Sequence, residues 1–361
     1  MRSILTSLVL SLLWFSPVFA QPFAYIANTL DANVSVINIA TNTVIDTIPL
    51  GPIGMAPWGA AVSPDGNFVY IANLSGVAFD RTVSVIRTSD NTLVDSLPIV
   101  IAPFSIAVSP DGRFVYVPDS GGGTKTVTVI RASNNQVIDT IAVGDTPSGL
   151  DFTPDGNFVY VANNSSGDVS VIRTSDNMVT GTVPVGGEPL GVEVSPDGNF
   201  VYVTVQDTNN VTVIRTSDNS VVGTIPLAGS PFGLAVTPDS NFVYVSVPGA
   251  SNVTVIRTSD NTIADIIPLA GFPQAVDATP DGSLIYVTVQ GSSSVAVIRT
   301  SDNIVIDNIT VGLVPNSLGK FISPGPQPSN VPTLSEWGLI AMGSILGILG
   351  FMVMRRRKMT A

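Results

Sequence analysis

A unit of 42 to 46 residues repeats along most of this chain. Its marker is Ser/Thr-Pro-Asp, with the proline at Pro64, Pro110, Pro154, Pro196, Pro238 and Pro280; successive intervals are 46, 44, 42, 42 and 42 residues. Each unit holds four short apolar stretches. From Pro189 they are Leu190–Ser195, Asn199–Val205, Asn210–Arg215 and Ser220–Pro226. Val, Ile, Thr, Tyr and Phe dominate them, and Pro-Asp-Gly or Thr-Ser-Asp-Asn separates them, so each reads as a strand bounded by tight turns. No segment of the body has a helical period. A period of ~40–45 residues with four strands per unit confines the chain to propeller blades.

Three independent markers give the same blade number. Phe-x-Tyr begins at Phe23, Phe68, Phe114, Phe158, Phe200 and Phe242, and recurs as Leu284-Ile285-Tyr286. Val-x-Val-Ile begins at Val34, Val83, Val127, Val169, Val211, Val253 and Val295. A strand follows each of Pro57, Pro103, Pro147, Pro189, Pro231, Pro273 and Pro315. The body opens on the second strand of a unit and ends on a first strand, Asn316–Ile322. That last strand is expected to complete the first blade, which closes the ring and leaves no open sheet edge between the termini. The expected fold class is all-β: a seven-bladed β-propeller of four-stranded blades, with one C-terminal transmembrane helix.

The two ends read as addresses. Residues 1–20 begin Met1-Arg2, run apolar from Ile4 to Phe15 and finish Val18-Phe19-Ala20, the pattern of a cleaved secretory signal. The propeller is expected over 21–323 and a Pro-rich spacer over 324–332. The sorting segment 333–361 holds an apolar helix, 338–354, of about 26 Å, near the lower limit for a bilayer span. Arg355, Arg356, Arg357 and Lys358 follow it and should stay cytoplasmic, leaving the body outside. The tail, Val331-Pro332-Thr333-Leu334-Ser335-Glu336-Trp337-Gly338 followed by helix and arginines, resembles the IPTL-CTERM sorting signal. That resemblance implies an exosortase-type processing partner, transient membrane anchoring, and delivery to the surface or extracellular matrix of a Gram-negative bacterium.

The repeats resemble the YVTN-type propeller family through Val69-Tyr70-Ile71-Ala72-Asn73, Val159-Tyr160-Val161-Ala162-Asn163, Val201-Tyr202-Val203-Thr204-Val205 and the Pro-Asp-Gly turns. Surface-layer proteins are members; sugar lactonases and propeller subunits of quinoprotein dehydrogenases are relatives. The fold itself does not carry an activity.

Composition removes many chemistries. The 361 residues include no Cys and no His, which excludes disulfides, thiolate catalysis, Ser-His-Asp triads and His- or Cys-ligated metals. Setting aside Arg2 and Arg355–Lys358 from 15 basic residues, and Glu336 from 27 acidic ones, leaves 10 against 26, a net charge of −16 for the body. Such a body repels phosphate backbones, so no nucleic-acid partner is expected.

Candidate sites follow from what varies between blades. The turn face is uniform, so the Pro-Asp-Gly aspartates, such as Asp65 and Asp155, read as turn chemistry. Arg87, Arg131, Arg173, Arg215, Arg257 and Arg299 read as partners of neighbouring turn aspartates. On the opposite face, the residue after each proline varies: Trp58, Phe104, Leu190 and Phe232 are the candidate ligand-binding set, able to stack on sugar rings. One inner register, Ala61, Ala107, Asp151, Glu193, Ala235 and Asp277, mixes alanine with acid. Asp151, Glu193 and Asp277 are either solvated channel acids or oxygen ligands for Ca²⁺, with Lys320 placed to neutralise one of them.

These features point to a non-catalytic, surface-directed propeller, a binding or structural module of the cell envelope or exopolysaccharide matrix. Its partners would be extracellular polysaccharide or a surface protein. No cofactor is expected apart from the Ca²⁺ alternative. Two other readings stay open: a metal-dependent lactonase-like hydrolase and a propeller subunit of a redox enzyme.

Overall fold

The computed structural model describes residues 22–51, 56–74, 81–99, 102–121, 123 and 125–324. The leader 1–20, most of the spacer, the sorting motif, the helix expected at 338–354 and the basic tail lie outside the described residues. Among the described residues no helix is long and apolar enough to cross a membrane.

Seven four-stranded antiparallel sheets form the seven blades expected from the repeat count. In the blade begun by Pro189 the strands are Pro189–Val194, Phe200–Val205, Asn210–Arg215 and Ser220–Pro226, from the channel outward. The second and third strands of each blade bury both faces. Val201 and Val203 pack with Val169 and Val171 of the preceding blade, while Tyr202 packs with Val243 and Val245 of the following one. A strand sandwiched in this way reads as a continuous apolar run rather than an alternating one. The tyrosine of every blade is fully buried: Tyr25, Tyr70, Tyr116, Tyr160, Tyr202, Tyr244 and Tyr286. Each contributes on the order of 2 kcal/mol of apolar burial. Every outer hairpin carries a register shift at the same place, as between Val213 and Ile214, which bends the rim strand away from its partner.

The last strand closes the first blade. Pro315–Asn316 pairs with Asn28 and Ala27, and Ile322 bridges to Ala24. Between them, the Tyr25 N–H donates to the Phe321 carbonyl at 3.0 Å, and Ser317 Oγ accepts the Ala27 N–H at 3.0 Å. Blade 1 is thus sewn from both ends of the propeller body.

The Pro-Asp-Gly turns are built as turn chemistry requires. Ser63 Oγ and the Asn67 N–H both donate to Asp65 Oδ1, at 2.5 and 3.0 Å, and Gly66 takes φ of +72°. Burial pushes the Asp65 carboxyl up, but those bonds more than offset it and hold it below the ordinary range. Ser240 replaces the glycine in one blade and still adopts φ of +60°. Five of the six third-strand arginines pair as expected, each with the Asp of its own Thr-Ser-Asp-Asn turn: Arg87–Asp90, Arg173–Asp176, Arg215–Asp218, Arg257–Asp260 and Arg299–Asp302. All these partners are about half exposed, so the pairs fix turn geometry more than they add stability. Arg131 departs from the pattern, because its turn reads Ala132-Ser133-Asn134-Asn135 and offers no aspartate.

Candidate functional site

The innermost strands run from the connector face, where each begins at a proline such as Pro57 or Pro147, to the turn face, where the next proline sits. The channel they enclose has two chemically different ends.

At the connector end, the position after the first proline gathers aromatic rings. Trp58 and Phe104 lie 5.3 Å apart between centroids, and Phe104 meets Phe232 across the channel at 6.2 Å. All three are half-buried, so they are partly spent on one another and partly open. Leu190 differs from expectation. It is 6% exposed and belongs to the wall, with its carbonyl accepting Ser148 Oγ at 3.1 Å. Two buried donors beside the rings have no partner among the described residues: Trp58 Nε1 and Asn316 Nδ2, the latter on a fully buried residue in the same register. Below the rings the strands come close together. A Cβ on Gly149 would fall 2.2 Å from the Leu190 carbonyl oxygen, so only a residue without a side chain fits there.

At the turn end lies a cavity of about 460 Å³, rimmed by seven prolines: Pro64, Pro110, Pro154, Pro196, Pro238, Pro280 and Pro324. Asp151, Glu193, Asp277 and Lys320 line it, and none of the three aromatic residues does. Lys320 Nζ donates to both oxygens of Asp151, at 3.0 and 3.1 Å, and stands 3.7 Å from Glu193 Oε1. The Asp151 side chain is 7% exposed; that of Lys320, facing the lumen, is 53% exposed. Asp277 accepts the Ala278 N–H at 2.9 Å and the Ile322 N–H at 2.8 Å. The acidic register sits opposite the buried tyrosines: Asp151 faces Tyr160, Glu193 faces Tyr202 and Asp277 faces Tyr286 in the strand ladder.

Burial holds the Glu193 carboxyl well above its ordinary range; Lys320 opposes this, and Asp151 and Asp277 reinforce it. Burial likewise raises Asp277 to about 7, against the pull of its two backbone N–H bonds and Lys320. Burial alone would lower Lys320, but the fields of Asp151 and Glu193 outweigh it and keep the ammonium charged.

The Ca²⁺ alternative does not fit this geometry. Among the described residues no three acidic side chains converge closely enough to hold a metal ion. A lysine ammonium occupies the place between Asp151 and Glu193 that a cation would take. The expectation that Lys320 neutralises an acid describes the arrangement instead.

The described strands place the rings, the acids and the lysine around one axis; the sorting residues Val331–Gly338 are settled by sequence. The segment 331–357 matches the IPTL-CTERM motif.

This chain carries an IPTL-CTERM signal.

The signal points to export, C-terminal sorting and exosortase-type processing. Residues 100–179 match the family described as "Lactonase, 7-bladed beta-propeller". The fold is similar to a chain of Kuenenia stuttgartiensis hydrazine synthase, with a TM-score of 0.68 and 22% identity over 81% of this chain and 99% of that one. It is also similar to a functionally unknown protein from Desulfotomaculum acetoxidans DSM 771, with a TM-score of 0.64 and 18% identity over 82% and 99%. At such identities the likeness is one of fold alone. No curated protein sequence matches the chain.

Sequence reasoning missed one recurrent contact. The Asn of each Thr-Ser-Asp-Asn turn reads as a turn residue, and it does take a left-handed conformation, as at Asn177 with φ of +56°. It also clamps the preceding blade. Tyr116 Oη donates to Asn177 Oδ1 at 2.5 Å, and Asn177 Nδ2 donates to Asp139 Oδ2 at 2.8 Å. The same clamp joins Tyr244 and Asp265 to Asn303. Aspartates at 46, 95, 139, 265 and 307, replaced by Gly181 and Gly223 in two blades, were the available signal.

Proposed function

We propose that this protein is a non-catalytic, surface-directed propeller of a Gram-negative bacterium that binds extracellular polysaccharide at the connector end of its channel. The aromatic set carries the reading. Trp58, Phe104 and Phe232 converge from three blades at one channel end and keep part of their faces open. Sugar rings dock on such surfaces because their C–H faces are apolar and their hydroxyls stay wet. Sorting of the IPTL-CTERM tail agrees with an address at the surface or in the matrix.

The non-catalytic part of the reading is supported by composition, which removes His- and Cys-based machinery and leaves the channel carboxylates as the titrating groups. With no His or Cys, a base must come from a carboxylate, a tyrosine or a lysine. Lys320 is kept charged by Asp151, and burial pushes tyrosines such as Tyr160 and Tyr202 up to about 12. Affinity electrophoresis through gels containing the host's own exopolysaccharide tests the proposal. Trp58→Ala and Phe104→Ala are expected to lose most of the retardation. Unchanged mobility in both variants, or turnover of lactones and esters by the wild type, overturns it.

A further inference from the structure

The proline-rimmed cavity at the turn end is separate from the aromatic end, and its chemistry calls for a different ligand. Its walls are aliphatic, with Val62, Ile106, Leu150, Val236 and Ile322 among them. Its volume of about 460 Å³ is in the range of small-molecule sites. Glu193 lies three residues before its rim proline, Pro196, which is about 10 Å of strand. The cup is therefore apolar at the mouth and charged at depth.

The charges inside do not balance. Lys320 is committed to Asp151 through both oxygens. Asp277 has backbone N–H partners, which supply hydrogen bonds but no positive charge. Glu193, 15% exposed, shares the same ammonium at the longer distance of 3.7 Å. Three carboxyl groups therefore share one ammonium, and the raised titration of Glu193 and Asp277 means that bound protons meet the shortfall, which a ligand cation can replace. A metal ion cannot relieve it, because the donors do not converge. An ammonium group can: it presents three donors to groups that only accept, and it needs no closed coordination shell.

We infer that this cavity binds a small amphipathic protonated amine, its ammonium against Glu193 and its apolar body against the aliphatic wall below the proline rim. A neutral alcohol of the same shape fills the cup without balancing the charge, and a carboxylate is repelled by it.

Cyclohexylamine, cyclohexanol and cyclohexanecarboxylate are matched probes, titrated calorimetrically into the full chain in detergent at about pH 8, with a detergent-only blank. The amine is expected to bind at least about tenfold more tightly than the alcohol, and the carboxylate not at all. Glu193→Gln should weaken the amine by about tenfold and Asp277→Asn by a smaller factor, each with unchanged alcohol binding, which shows that the cup is intact. Equal affinity for amine and alcohol overturns the inference. So does amine affinity that survives both substitutions, or no amine binding up to about 10 mM. Polysaccharide binding at the aromatic end is read separately and does not depend on the result.

Discussion

Lys320 reaches across the channel from the closing strand of blade 1 to bond both carboxylate oxygens of Asp151 in blade 4, at 3.0 and 3.1 Å. The two residues are 169 apart in sequence, and the contact forms only when the ring has closed. Asp151 is 7% exposed on its side chain, so it depends on this one ammonium for charge balance. Its other bond, from the Val194 N–H at 2.9 Å, is neutral.

Lys320→Met should therefore destabilise the propeller more than a surface ion pair would suggest. Removing one partner of a buried pair costs ~3–5 kcal/mol, and the partial exposure of Lys320 brings the expected loss to about 2–3. The double variant Lys320→Met with Asp151→Asn should recover at least half of it, because no lone charge is left behind. Urea midpoints of the two variants decide this. A single variant as stable as wild type would mean that channel water already balances Asp151.

Stability should fall as the pH rises through neutrality. The Asp277 carboxyl titrates near 7 when folded, against ~3.9 for an unperturbed aspartate. A carboxyl with a raised folded value binds its proton more tightly in the folded state. Its contribution is complete below about pH 4 and is lost as the pH climbs through about 7. Glu193 acts in the same direction. The Pro-Asp-Gly aspartates act oppositely: Asp65 and Asp197 are held low, so their contribution is present above about pH 4 and lost in stronger acid. The expected optimum is weakly acidic, with a decline on the order of 1 kcal/mol per pH step at its steepest. Thermal melts between about pH 5 and 8 should show that decline, and Asp277→Asn should flatten it. A melting temperature that rises over this range would refute the argument.

Processing of the tail has a direct readout. If the IPTL-CTERM segment at 331–357 is used as a sorting signal, protein recovered from the cell surface should end near Val331-Pro332. Intact mass distinguishes this from a chain that retains Arg355–Lys358 and runs to Ala361. Recovery of the full-length mass alone would make the segment a lasting anchor.

The blade number and ring closure were legible because every blade repeats the same local instructions. Phe-x-Tyr, Pro-Asp-Gly and Thr-Ser-Asp-Asn each act within a few residues, and five to seven copies of each average out the exceptions. The channel was only half legible. Asp151, Glu193 and Asp277 stood out as acids in a register otherwise held by alanine. Lys320 lies one position off that register, four residues before Pro324, where other blades carry Leu150, Val192, Leu234 and Val276. Only its long side chain and the curvature of the ring bring it to Asp151, and no local rule encodes that. The stacking of Trp58 on Phe104 is hidden for the same reason: the two lie 46 residues apart, and each covers part of the other only once the blades are side by side.

The inter-blade clamp gives the last prediction. Asn177 does two jobs: its backbone holds the left-handed turn at φ of +56°, and its side chain joins Tyr116 Oη to Asp139. Asn177→Gly keeps the first job and removes the second, since glycine adopts positive φ without strain. Asn177→Ala removes both. The glycine variant should lose about 1–2 kcal/mol, the value of hydrogen bonds to a buried phenol and a carboxylate. The alanine variant should lose about 1 kcal/mol more, for the strained turn. Asn219 lacks the acidic half of the clamp, because Gly181 stands where Asp139 would be, yet it still accepts the Tyr160 hydroxyl at 2.7 Å. Asn219→Gly should therefore cost less than Asn177→Gly, by about the 0.5–1 kcal/mol of an exposed charge-assisted bond. Chemical denaturation of the three variants measures each difference. Equal losses for the two glycine variants would show that the aspartate half adds nothing and that the phenol bond alone ties the blades.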